Sequence, residues 1–469
     1  MPSQLTSRRN AGELALVLHT HMPYVEGFGT WPFGEEWLWE AIATSYLPLL
    51  DVLAGPGGSA VTVSITPVLA DQLEQREAMQ RCARFLEEIR PESHRRDIEE
   101  LAAAAQDDLA AELTRSAAEY AAAARRLREL EAGEGLLAAL APHVSWTSSA
   151  THAILPLLAT DGGVLAQVQS GVASHRRRFG HWRGGFWLPE CAHAPWLDGL
   201  LEAAGVGATC VELTGLFGLG DPRQLRPLAV SDGPVLWPLD RATVGLVWSE
   251  HGYPSRAAYR DSHRHTTHRH HAWRNDGAAY DHAAASEQVR TDAADFVDRV
   301  LRRVGDGGVC VCALDTELLG HWWYEGVQWL RAVLQESVRR GLALTRLDDA
   351  LERQQPTRAP SDLGVTSWGE GGELRTWSGP QVAELAWRAR RDELRLAAAA
   401  GPPSDRALRE LLALQSSDWA FLHTRQSAGD YPLRRAEAHH AAFQAALAGA
   451  PGFREPALRG LAPDLVGWS

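Results

Sequence analysis

The chain has 469 residues, 45 % of them hydrophobic and 22 % charged, with a formal net charge of −13, a globular composition and not a disordered one. All 46 cationic residues are arginine, which excludes Schiff-base aldolases, pyridoxal-phosphate enzymes and lysine-bearing phosphate loops. The acidic balance argues against a nucleic-acid partner, and at ~150 residues per domain the length allows about three domains or one barrel with insertions.

The first residues are polar through Arg8 and Arg9, and no apolar stretch of signal-peptide type precedes LALVLH, residues 14–19. LALVLH reads as a buried strand and 60–67 as a second. From 71 to about 141, Ala, Leu, Glu and Arg dominate, and Gly and Pro nearly vanish except around Pro91. That composition predicts two or three packed helices inserted into another domain; the heptad is not kept, so a coiled coil is not expected. Strand-then-helix units resume at 186–188, with a helix near 196–204 ended by Gly205 and a strand at 208–211. A strand at 308–314 precedes a helix near 322–340 that stops at Gly341, and 343–347 then 348–353 repeat the order. Such alternation predicts a parallel sheet with helices outside it. The segment 354–364, with Pro356 and Pro360, marks a boundary, beyond which 380–400, 405–414 and 434–447 read as helices.

No run approaches ~18 apolar residues, so no membrane span is expected. The five cysteines show no CxxC pair, and Cys310 and Cys312 alternate in VCVCAL; they read as buried small hydrophobes in a reducing compartment, and the expected location is cytoplasmic.

In barrel-like α/β folds, sites collect at the carboxyl ends of the strands. The polar residues there are His19 and His21, His152 after SSAT, Glu190 after FWL, and Asp315 and Glu317 after VCVCAL. Two carboxyl groups at the ends of different strands can meet across a cleft. Glycoside chemistry needs that pair, one to attack the anomeric carbon and one to protonate the departing oxygen. The plainer role for each acid is a helix cap or an arginine partner. Tryptophan outnumbers the other aromatic types, 18 against 10 Phe and 8 Tyr. Many stand beside Gly, Asp or Glu, among them Trp31, Trp37, Trp182, Trp187, Trp322, Trp323, Trp368, Trp377 and Trp419. Flat rings mixed with polar groups favour a carbohydrate cleft over a purely structural set. His19-Thr-His21 with Asp315 also resembles the start of an amidohydrolase metal site, whose common form uses a modified lysine that this chain lacks. The histidines at 263, 265, 268, 270 and 271 lie among Arg and Thr and are expected to be exposed loop residues, not a metal tract. The GDGG at 305–308 and the GEGG at 369–372 are turns without the helix a phosphate loop requires.

Taken together, LVLHTHMPYV, WPFGEEWLWEAI, TSSATHAILPLL, FWLPECA, VWSEHGYPSRAAYR, ALDTELLGHWWYEG, SWGEGGELRTW, SSDWAFL and DYPLRRAEAHHAAF resemble glycoside hydrolase family 57, and within it the 1,4-α-glucan branching enzymes. The matching stretches run almost the length of the chain. The resemblance implies an α/β fold, an incomplete (β/α)7 barrel with helical insertions and an all-helical C-terminal domain. The catalytic unit would be 1–355, with insertions at about 71–141 and 212–275, and the helical domain 356–469. It implies retaining double displacement on an α-glucan polysaccharide or maltooligosaccharide, with Glu190 as nucleophile, Asp315 as general acid/base, and no metal or cofactor. The two carboxyl groups would then lie about 5–5.5 Å apart, Glu190 ionised and Asp315 protonated. His19 and His152 match residues lining the donor sugar site, and Trp37, Trp248, Trp368, Trp377 and Asp418 match positions that hold the glucan. His21, Trp187, His321 and Trp322 are expected beside them as substrate-binding residues. Three departures stand out. His193 replaces a tyrosine after FWLPECA, the region 263–281 is short, and LAVSDGPVLWPLDRATVGLVW lacks the loop tyrosine linked to transfer over hydrolysis. A hydrolytic α-amylase-like enzyme or a 4-α-glucanotransferase of the same fold is the nearest alternative, ahead of a non-catalytic glucan-binding protein or a metal-dependent amidohydrolase.

Overall fold

A computed structural model describes residues 12–30, 33–399, 401, 403–450, 458 and 460–461, so Trp31 lies outside it. The strands are β1 (Glu13–Thr20), β2 (Thr62–Ile65), β3 (Val144–Ser148), β4 (Gly185–Trp187), β5 (Ala208–Val211), β6 (Leu228–Ala229), β7 (Val235–Pro238), β8 (Val309–Asp315), β9 (Ala343–Leu344) and β10 (Thr357–Arg358). Seven of them pair in parallel in the order β7-β5-β4-β3-β2-β1-β8. That is the expected incomplete seven-strand barrel. The two end strands approach each other through one backbone bond, Asp240 N–H to the Val311 carbonyl at 2.9 Å. β6 runs antiparallel to β7, β10 joins β6, and β9 pairs with the start of β1.

Alternation along the strands sorts side chains between two faces. In β1 and β8, Ala15, Val17, Val309, Val311 and Ala313 point into the barrel with Trp146, Trp187 and Trp237. Leu14, Leu16, Leu18, Cys310, Cys312 and Leu314 point outward beneath the helices. His19 and Asp315 continue the inward series, are paired in register, and so arrive at the barrel mouth.

The stretch 71–141 is helical as expected, with Arg76–Arg84, the π turn Phe85–Ile89 and Arg90–Ala103, followed by Asp107–Glu131. A second π turn, Ile42–Tyr46, interrupts the helical run between Glu35–Ala41 and Leu47–Leu53. Each π turn stands just before a proline, Pro48 or Pro91. Proline cannot donate to the carbonyl four residues back and its ring crowds that carbonyl, and a wider turn relieves both conflicts.

The histidines at 263–271 are not all exposed, as the sequence suggested. His270 is 4 % exposed and its ring lies 3.6 Å, centroid to centroid, from His94, while His268 bonds Asp97 at 2.6 Å. Asp97 and the inserted helix offer partners distant in sequence, which local composition does not disclose. After β10 come Arg375–Ser378, Ala383–Ala397, Asp405–Leu414, Ser417–Thr424 and Tyr431–Leu447. These helices bind the barrel mouth through an antiparallel bridge between Ala153 and Ser416, and through Ser417 N–H to the His152 carbonyl at 3.2 Å. No helix among the described residues is long and apolar enough to cross a membrane.

Candidate active site

Glu190 occupies a 3-10 turn, Pro189–Cys191, that follows β4 at once. Its φ is 58°, in the left-handed region, and His152 after β3 has a φ of 60°. Such a backbone costs a non-glycine residue about 1–3 kcal/mol and persists where surrounding contacts fix it. At Glu190 those contacts come from the segment before the C-terminal helices. Trp368 N–H donates to the Glu190 carbonyl at 2.9 Å, and Trp368 Nε1–H donates to Glu190 Oε2 at 2.6 Å. Thr366 forms a bridge with His193, and His193 Nε2 pairs with Asp198 at 2.8 Å.

Asp315 ends β8, and the following turn is tied to the Ile42–Tyr46 π turn. Ser45 Oγ donates to the Thr316 carbonyl at 2.9 Å, and the Tyr46 hydroxyl donates to Glu317 Oε1 at 2.6 Å. Glu317 also accepts the His21 backbone N–H at 3.1 Å.

A histidine cluster completes the mouth. His19 Nε2 lies 3.0 Å from His152 Nε2, and the His19 ring stacks on Trp187 at 4.8 Å. His21 stacks on His152 at 4.0 Å and bonds Asp418 Oδ2 at 2.9 Å. His152 Nδ1 bonds Ser417 Oγ at 2.8 Å and stands 3.9 Å from Glu190 Oε1. Burial and the neighbouring histidines hold His19 well below its ordinary pKa. Burial, then the charge of His21, does the same to His152.

Both acids are pushed up to about 8. For Glu190 the cause is burial, then the negative charge of Asp315, against the pull of the Trp368 hydrogen bond. For Asp315 it is burial, then Glu317 and Asp418. The two therefore differ in hydrogen bonding rather than in the size of the shift. Glu190 accepts an indole N–H, while among the described residues no side chain donates to Asp315. One shared proton is thus better placed on Asp315 than on Glu190. Burial alone would raise Asp418, but His21 outweighs it and keeps that carboxyl at about 2. Glu317, which the sequence places with Asp315 at a strand end but to which it assigns no role, is lifted to about 8 by burial.

One group among the described residues has the donor set for a cation: atoms of His21, His152 and Asp418 lie within 4.8 Å of one another. His21 Nε2 is already given to Asp418 and His152 Nδ1 to Ser417, so the arrangement reads as a hydrogen-bonded wall.

The structure gathers Glu190, Asp315, His19, His21, His152, Trp368 and Asp418 at one mouth. Trp187 belongs there as support only. It is fully buried beneath His19 and Trp368, so its ring presents no open face to a sugar. Trp377, 2 % exposed, is packed with Ile154, Val382 and Ala420, and is likewise no open platform. Trp37, His321 and Trp322 line a neighbouring cavity instead. Trp248 is 45 % exposed at the end of the helix Arg241–Val247, without a hydrogen bond or ring contact to the cluster among the described residues.

Residues 146–361 match the model of glycosyl hydrolase family 57, and residues 383–452 match that of the 1,4-alpha-glucan branching enzyme C-terminal region. The chain is 33 % identical to a 1,4-alpha-glucan branching enzyme of Thermococcus kodakarensis, covering 92 % of this chain and 73 % of that one. The crystal structure of that enzyme with glucose and additives is similar at a TM-score of 0.83, covering 97 % of this chain and 94 % of that one. A probable 1,4-alpha-glucan branching enzyme of Mycobacterium tuberculosis is 35 % identical, covering 96 % of this chain and 94 % of that one. A family 57 branching enzyme structure from Pyrococcus horikoshii is similar at a TM-score of 0.85 and 29 % identity, covering 97 % of this chain and 94 % of that one.

Proposed function

The chain belongs to glycosyl hydrolase family 57, and from that premise we propose that it is a retaining 1,4-α-glucan branching enzyme. The observation that carries this reading is the arrival of Glu190 and Asp315 at one barrel mouth from β4 and β8, close enough for the charge of one to raise the other. In the first step Glu190 attacks C1 of the donor sugar as the C1–O4 bond breaks, and Asp315 gives its proton to O4. In the second, Asp315 takes the proton of an acceptor 6-hydroxyl while that oxygen displaces Glu190 from C1. The departing chain keeps the first proton on O4 and the acceptor's proton replaces it on Asp315, so both acids end in the state in which they began. We take the carboxyl separation to be about 5–5.5 Å, as a direct attack requires.

The neutral rings of His19 and His152 bond each other, Ser64 and Ser417 and so form a fixed wall at the donor-sugar position, with His21 and Asp418 beside them. The substrate is an α-glucan polysaccharide or maltooligosaccharide, in keeping with the glucose bound to the Thermococcus relative. Residues 1–355 serve as the catalytic unit, and 356–469 bring Trp368, Ser417 and Asp418 to it. Five free, buried cysteines favour a reducing cytoplasm.

One observation favours hydrolysis as a second reading. The stretch 228–248 carries no tyrosine and is spent on the β6–β7 hairpin and the helix Arg241–Val247. Incubation with amylose separates the two readings. Branching fades the iodine stain with few new reducing ends and creates α-1,6 linkages, whereas abundant reducing ends without such linkages reject branching. Glu190→Gln is expected to lower turnover by about a thousand-fold or more while maltoheptaose still binds. Near-normal turnover in that variant would remove Glu190 from the mechanism.

A further inference from the structure

Beside the carboxylate mouth lies a cavity of about 770 Å³. Its walls come from the helix Glu35–Ala41 with the following π turn, the inserted helix Asp107–Glu131, the loop 260–271 and the helix Gly326–Arg340. Gly320, His321 and Trp322, from the loop that leaves Asp315, also line it, and nothing from the Glu190 turn does.

That asymmetry has a chemical meaning. In retaining displacement the incoming hydroxyl approaches the sugar face opposite the nucleophile, and yields its proton to the group that protonated the leaving oxygen. Whatever holds the acceptor therefore stands on the Asp315 side. The wall chemistry narrows the occupant. Trp322 is 52 % exposed, and Tyr120 and Tyr324 line the same wall, each with a guanidinium, of Arg90 and of Arg260, over its ring. The wall charges largely neutralise one another: Arg90 pairs with Glu40, Arg126 with Asp51 at 2.7 Å, and Arg260 with Glu112. Paired charges leave fixed donors and acceptors without a strong field for an ion, and rings beside such groups suit a neutral polyhydroxyl chain.

We propose that this cavity binds the acceptor α-glucan, the chain whose 6-hydroxyl is delivered to the Asp315 side; this rests on the branching reading above. Ala122 and Gln328 are exposed helix positions in two different walls, where tryptophan is compatible with folding yet fills the space. Ala122→Trp and Gln328→Trp in the full chain are assayed on amylose for α-1,6 linkages and for reducing ends. The expected result is a fall in linkage formation of about ten-fold or more, with reducing-end release changed by no more than about two-fold. Unchanged linkage formation in both variants overturns the proposal. Equal loss of both products also overturns it, because the cavity would then serve the leaving chain. Calorimetric titration of maltoheptaose into the Glu190→Gln background gives an independent reading, and Ala122→Trp should abolish one class of sites. If the unmodified chain forms no α-1,6 linkages, the branching reading itself fails. An unchanged titration stoichiometry would then dispose of the cavity assignment separately.

Discussion

Glu190 and Asp315 were legible from the sequence because each follows an apolar run at once, and a strand end is where a parallel barrel exposes side chains. Trp368 was legible only as a residue near the glucan. Its indole N–H reaches Glu190 across 178 positions, a contact that no local pattern encodes. This bond favours the ionised carboxylate, so removing the donor raises the Glu190 pKa further. Under the proposed mechanism the rate requires Glu190 ionised and Asp315 protonated, which gives a bell-shaped profile whose acid limb reports the first proton lost from the pair. Trp368→Phe should move that acid limb to higher pH and lower kcat by about ten-fold, a change of ~1.4 kcal/mol. A pH profile of kcat/KM checks it; an unmoved acid limb would make Trp368 a packing residue only.

Among the elements, the helices of 71–141 and the alternating strands were readable, since composition and periodicity are local. The two π turns were not, although both announce themselves afterwards through Pro48 and Pro91. The turn at Ile42–Tyr46 has the larger role. The Thr44 carbonyl, to which Pro48 cannot donate, abuts Gly320, where an added Cβ would come within 2.0 Å of the Thr44 oxygen at a φ of +97°. A tight backbone approach and a left-handed conformation coincide at that one residue. Gly320→Ala is expected to destabilise the fold by about 2–4 kcal/mol and to depress activity, because the displaced loop carries Asp315. Chemical denaturation of the variant measures the first effect and amylose turnover the second. Unchanged values of both would mean that the contact yields freely.

For the whole molecule, the active site is a burden on stability at neutral pH. Glu190, Asp315 and Glu317 are each lifted to about 8, burial being the largest cause, and Glu410 behaves alike. A carboxyl whose folded pKa is raised binds more protons in the native state than in the unfolded one. Its contribution is therefore fully present below the ordinary carboxylate pKa and is lost as pH rises through the raised value. Asp418, held at about 2, acts in the opposite sense, but only as pH falls toward that value. The buried histidines with depressed pKa values, His19 and His152 among them, oppose this only up to the ordinary histidine pKa. The unliganded protein should therefore lose Tm between about pH 6.5 and pH 8, and Glu190→Gln should flatten that slope, gaining over the unmodified chain as pH increases. Parallel curves for the two proteins would refute the linkage. The architecture itself was readable as far as the strand–helix alternation allowed. The β6–β7 hairpin and the wedging of His270 escaped, because their partners lie far along the chain.

The gap between β7 and β8 has a last consequence. A ring one strand short would ordinarily leave unpaired amide and carbonyl groups on which a foreign peptide could align. Asp240 occupies that vacancy. Its N–H satisfies Val311, its carboxylate caps the helix Arg241–Val247 at Thr243, and it anchors Arg303 at 2.6 Å. A single aspartate thus meets one carbonyl of the β8 edge while β6 covers β7, so the opening is narrowed from both sides without an eighth parallel strand.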